Sequence, residues 1–157
     1  MLQLEIIDAD PIELSISETP ALVLDLYDGV IYTQVEPNGS GSAHQIITSP
    51  GSYSSGRLLA WVGGSLVYYD ALNPAHLFAL VGVSTVAANA GEPLEIAARG
   101  EIHQAGWGLI PDQIYQAGTN GFISVVPVAG AVFSQIVGRA KDSNTFIFQP
   151  QTIFKNG

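Results

Sequence analysis

Three histidines, His44, His76 and His103, are the imidazoles available for acid–base or metal chemistry, and none stands at a ligand spacing such as H-x-x-x-H from another. Glu101-Ile102-His103 puts two donor types on one side of a strand, because strand side chains alternate, but two donors do not complete a metal shell. Asp8-Ala9-Asp10 opens like a calcium loop; Pro11 follows, and the glycine and glutamate positions of that loop are missing. Gly82-Val83-Ser84-Thr85 is followed by Val86, where a serine nucleophile elbow needs glycine. Gly106-Trp107-Gly108 supplies two glycines of a dinucleotide fingerprint but lacks the third, and no helical pattern follows. Glu92 and Glu95 could flank a glycosidic bond only as any two acids could. The sequon Asn38-Gly39-Ser40 lies in a chain that opens without an export signal. No catalytic group, cofactor or metal is therefore expected. The expectation is a non-enzymatic protein.

Aromatic residues offer a second kind of chemistry. Trp61, Tyr68, Tyr69, Trp107 and Tyr115 could stack on sugars, or they could supply the contacts between subunits in which Trp and Tyr are enriched. The second role is the one expected here, so these five are the candidate interface residues. Composition points the same way. With 47% apolar and 12% charged residues, the chain has about half the usual charge with which to coat a surface. Covering by neighbouring subunits is one way out, and a coat of Ser, Thr, Asn, Gln and Gly is the other.

The net charge of −9 is concentrated. Glu5, Asp8, Asp10, Glu13, Glu18, Asp25, Asp28 and Glu36 all precede the first Lys or Arg. Only five cations are scattered over the rest, so binding to nucleic acid or to an anionic membrane is not expected. The absence of cysteine excludes a disulfide scaffold and a thiolate site together. No apolar run approaches the roughly 18 residues of a membrane helix.

The elements that would carry these residues are strands. Period-two patterns and turn punctuation predict strands over residues 12–17, 21–27, 30–33, 57–62, 65–69, 78–85, 93–101, 113–116, 122–126, 132–141 and 145–148. Asp28-Gly29 is a hairpin signal, and residues 36–42 read as a flexible linker. The expected organisation is an acidic arm with a hairpin over residues 1–40 and a small all-β barrel or sandwich over residues 41–157. A tandem repeat is also expected. Gly56-Arg57-Leu58-Leu59, Gly64-Ser65-Leu66-Val67 and Val81-Gly82-Val83 recur about 56 residues later as Asp112-Gln113-Ile114-Tyr115, Gly121-Phe122-Ile123-Ser124 and Val137-Gly138-Arg139.

The stretches Ser54-Ser55-Gly56-Arg57-Leu58-Leu59-Ala60, Gly64-Ser65-Leu66-Val67-Tyr68-Tyr69-Asp70-Ala71, Asn73-Pro74-Ala75-His76 and Ala90-Gly91-Glu92-Pro93-Leu94-Glu95-Ile96 resemble small virion structural proteins of tailed bacteriophages. They are also similar to the C-terminal β-domains of phage fibre proteins. In the second half, Gly100-Glu101-Ile102, Trp107-Gly108-Leu109 and Val137-Gly138-Arg139-Ala140 continue the likeness, with Asp112 standing where the pattern often has glycine. The resemblance implies a homotrimeric β subunit of the virion that decorates and cements the capsid. Its partners would be itself and the major capsid or other virion proteins, with Asp8, Asp10 and Glu13 of the arm meeting a basic patch. A tail or head fibre component is the alternative, and a carbohydrate-binding module a further one.

Overall fold

A computed structural model describes residues 43–156 together with the strands Leu22–Tyr27 (β1) and Val30–Val35 (β2). The predicted strand at residues 12–17, the acids Asp8, Asp10 and Glu13, and the linker at residues 36–42 lie outside the described residues. The chain is nearly all β, wound into a curled half-barrel. In chain order the elements after β2 are Ala43–Thr48 (β3), Leu58–Val62 (β4), Ser65–Tyr68 (β5), a 3-10 turn at Pro74–His76, Leu80–Ser84 (β6) and Pro93–His103 (β7). Then follow Ile114–Ala117 (β8), Ile123–Ser124 (β9), Phe133–Ser134 (β10), Ile136–Ala140 (β11), Thr145–Phe148 (β12) and Phe154–Lys155 (β13).

The expected hairpin forms, with β1 and β2 antiparallel from Leu22 opposite Val35 to Tyr27 opposite Val30. It continues the main sheet, because Tyr32 and Thr33 of β2 pair with Gln45 and His44 of β3. Several predicted boundaries are corrected. The sequence pattern predicts no strand between residues 33 and 57, whereas β3 forms there and pairs with β7 from Ala43 to Thr48. The single strand expected over residues 132–141 is two, β10 and β11, separated at Gln135. The strand expected to start at Phe78 starts at Leu80, and the one expected over residues 122–126 is two residues long.

The repeat is carried by the hydrogen-bond register. β4 lies between β5 and β6, and β8 lies between β9 and β11. Leu58, Leu59 and Ala60 face Val83, Gly82 and Leu80, with a bulge that skips Val81. Ile114, Tyr115 and Gln116 face Arg139, Gly138 and Ile136, with the same skip at Val137, every partner shifted by 56 positions. The flanking bonds repeat too: Gly56 N to Ser84 O (2.7 Å) and Ser84 N to Arg57 O (2.9 Å) correspond to Asp112 N to Ala140 O (3.0 Å) and Ala140 N to Gln113 O (2.9 Å). Asp112 keeps the turn despite its side chain by adopting φ 63°, beside 70° for Gly56. Gly82 and Gly138 are needed for contact. A Cβ on Gly82 would run into the Ala97 carbonyl, and one on Gly138 into the Ile147 carbonyl. Those carbonyls occupy equivalent places, since β6 pairs Val83 with Ala97 and β11 pairs Arg139 with Ile147.

The missed strand β3 completes the first unit. β3 flanks β7 at His44, Gln45 and Ile46 as the end of β7 flanks β12 at Glu101, Ile102 and His103. Each unit is thus five strands in one order, β5-β4-β6-β7-β3 and β9-β8-β11-β12-β7, and β7 belongs to both. Its first half pairs with β3 and β6, and its last four residues pair with β12.

Burial separates what register makes equivalent. The main core contains Leu58, Ala60, Val83 and Ala97 from the first unit, but Tyr115, Ala117, Phe146 and Phe148 from the second. Tyr115 and Phe146 are the equivalents of Leu59 and Ile96, which instead belong to a smaller cluster with Leu66, Ala88 and Leu94 on the far side of the first unit. One unit turns one face to the shared core and its repeat turns the other. β7 supplies the cause. A bulge sets His44 opposite Ala97 but Ala43 opposite Arg99, and one extra residue reverses which side chains point inward. Ala97 points into the main core before the bulge and Ile102 after it.

Candidate interaction surface

The side chains with chemical potential are spread apart and engaged. The His44 imidazole bonds Glu95, while Glu101 takes Lys141 Nζ at 2.9 Å. His103, next to Glu101 on the same face, instead meets Thr145 Oγ1 at 3.2 Å. The Glu92 carboxylate accepts from Asn89 N at 2.7 Å and caps a turn. Ser84 is fully buried and its hydroxyl donates to Ser54 O at 2.6 Å, which makes it a tie between segments. The Gly106 N–H donates to Asn144 Oδ1 (2.9 Å) in a loop with no helix behind it. Among the described residues, no three of His, Cys, Asp and Glu come together as a metal site.

The five candidate aromatics divide. Tyr69 and Tyr115 are corrected from interface to core: Tyr69 has no exposure, and Tyr115 has its ring edge against Phe146 at 5.8 Å. Their hydroxyls are used inside the chain. Tyr69 donates to Gln135 Oε1 (2.9 Å), and Tyr115 accepts from Ile110 N (2.9 Å). Burial pushes the Tyr69 phenol well above its usual range. Trp107 is half-buried edge-on against Phe146. Tyr68 is half-buried, its oxygen accepting from Ser54 N (2.8 Å) and its ring beside Tyr53. Trp61 alone of the five is open to solvent, at 51% exposure.

Other apolar side chains are more exposed than Trp61, and the sequence pattern did not single them out. Phe78 is 79% exposed, Phe154 67%, Val126 63% and Ile114 58%. Exposed Phe122 is different, because the Arg57 guanidinium lies 3.2 Å from its ring centroid while Arg57 Nη1 donates to Asn120 O (2.8 Å). That stack fastens the first unit to the second.

Phe78 has an unusual backbone. The 3-10 turn is capped by Asn73, whose Oδ1 accepts from Ala75 N at 3.0 Å, and Ala79 N then reaches back to His76 O at 2.9 Å. With Leu77 at φ −56° and ψ 120° and Phe78 at φ 65°, residues 76–79 form a type II turn whose third position favours glycine. A phenylalanine there costs about 1–2 kcal/mol. The base of the turn is firm: buried His76 accepts from Asp70 N (2.9 Å) and lies flat against Tyr69. Desolvation lowers the His76 pKa, partly opposed by nearby Asp70.

Beside Phe78 is a cleft of about 240 Å³, which Phe78, Leu80, Val81, Ala98, Pro150 and Ile153 line. It lies where the two units meet. Its one polar lining residue, Gln135, already spends its oxygen on Tyr69 and its Nε2 on Gln151 O (3.0 Å). The other six lining residues are apolar. When compared with protein-family models and with curated proteins, the sequence matches none of them.

Proposed function

We propose that the chain is a non-enzymatic structural subunit of a bacteriophage particle, a capsid decoration or cement protein that works as a homotrimer. The observation that carries this reading is the exposure of large apolar side chains, Phe78, Phe154, Val126, Ile114 and Trp61 each more than half open, on a chain with little charge. Such groups are placed at the surface at a cost to solubility, and burial against neighbours removes that cost. Cementing needs no chemistry. A subunit that buries roughly 2,000 Å² or more at a junction between capsomers resists expansion of the shell. The acid-rich first 36 residues suit a basic patch on the coat, fixing orientation and rate of docking more than strength.

The test is addition of the full chain to capsids that lack it. Stoichiometric binding that raises the temperature at which the capsids open is expected, with loss of bound protein at high salt if the acidic segment contributes. Failure to bind such capsids, together with binding to host cells, would replace cement by the fibre reading.

A further inference from the structure

We propose that Phe78 and the adjoining cleft form the contact between copies of this chain, the Phe78 ring of each subunit entering the cleft of the next. This rests on the homotrimer reading above and says where its subunits meet. Three observations converge on it.

The first is strain without return inside the protomer. Phe78 occupies a turn position that favours glycine and holds its ring 79% exposed, so it incurs the backbone cost and also forgoes the burial of an aromatic ring. Strain of this kind persists where the neighbouring structure enforces it, and here capped Asn73 and buried His76 do so. The second is the other repeat. Shifted by the 56 positions of the register, Phe78 corresponds to Ser134, which lies in β10 and pairs with Phe154 of β13. Among the described residues the first unit has no strand in the place of β13, and it carries a large apolar ring where the second carries a small hydroxyl. The third is fit. The cleft has room for about one large side chain, and six apolar residues line it together with Gln135, whose amide bonds the Tyr69 hydroxyl and the Gln151 carbonyl. An apolar occupant without polar demands is what such walls accept, and this chain carries a rigidly presented one at the cleft's rim.

A knob and a hole that belong to one surface but do not fill each other make a contact between neighbours related by rotation. Such a head-to-tail contact closes a ring when the rotation between neighbours closes, and a three-fold rotation closes it with three copies. One buried aromatic anchor in a pocket is a typical centre of binding energy, with Pro150 and Ile153 of the cleft wall adding area.

The experiment is sedimentation of the full chain and of Phe78→Ser, Phe78→Gly, Ala98→Trp and, as control, Val126→Ser. Phe78→Ser installs the residue of the other repeat, and Ala98→Trp fills the hole while leaving the knob. A wild-type trimer is expected, with the dissociation constant raised about 30-fold or more by either change, the loss of a strong anchor. Val126→Ser is expected to stay trimeric. Phe78→Gly separates the contact from the fold, because it should weaken association while raising the thermal midpoint of the dissociated chain. A trimer that survives both Phe78→Ser and Ala98→Trp would overturn this contact and leave the homotrimer standing. A wild-type monomer would overturn both.

Discussion

The two repeats have the same strand order and the same bulged register, yet they bury opposite faces. Leu58 and Val83 are sealed in the main core, and their counterparts Ile114 and Arg139 are exposed. Backbone pattern and side-chain burial are thus separable: the register of a sheet is kept by glycines and bulges, and which face is wet is decided by what packs on it. The inversion at β7 also makes the molecule asymmetric. The first unit is covered on both faces, by the main core and by the smaller Leu59 cluster, whereas the second has one face in solvent.

Breaking the shared register should have the largest effect. Gly138→Ala and Gly82→Ala each drive a methyl into a facing carbonyl, and each is expected to lower stability by about 4 kcal/mol or more in urea unfolding. Similar losses at both sites would sharpen the equivalence; tolerance at one would break it. Next comes the face itself. Leu58→Ala should cost about 2–5 kcal/mol, while Ile114→Ala, the same register position in the other unit, should stay within about 0.5 kcal/mol in the same assay.

A smaller, pH-dependent effect belongs to His76 of the first unit. The folded pKa of His76 lies below its usual 6.5, so the unfolded chain takes up the proton first. Its contribution to stability is complete above that value and is lost as the pH falls through the folded pKa. The urea midpoint should therefore fall between about pH 7.5 and about pH 5.5, and His76→Asn should flatten that part of the slope. The smallest effect is expected at the turn that both units share. Asp112→Gly relieves a left-handed backbone and should stabilise by roughly 0.5–1 kcal/mol, whereas Gly56→Asp in the first unit adds that strain and must displace the Gln104 amide.

Much of this fold is legible in the sequence because strands and turns are local. The short apolar runs of β4 and β5 on either side of Gly63-Gly64, the Asp-Gly spacing between β1 and β2, and the recurrence of Val-Gly at residues 81–82 and 137–138 all report structure directly. β3 escaped because Ala43-His44-Gln45-Ile46-Ile47-Thr48 has no period of two; its place comes from pairing with β7. The inverted face was invisible for a similar reason. A single bulge at β7 decides it, and the nearby Gly100 marks an irregular strand without saying which face is buried. The surface was less legible still. Of the five aromatics singled out, Tyr69 and Tyr115 are core, because a tyrosine's oxygen can be satisfied within the chain as readily as across an interface. Phe78 read as an ordinary strand residue. The signal available was its place four residues after Pro74, where a turn that follows the proline demands a left-handed residue.

The central claim, that this charge-poor chain hides apolar surface by associating with itself, is tested most directly by sedimentation equilibrium of the full chain at micromolar concentration. The account predicts a particle of three 16.5 kDa chains. A single chain with no tendency to associate would contradict it.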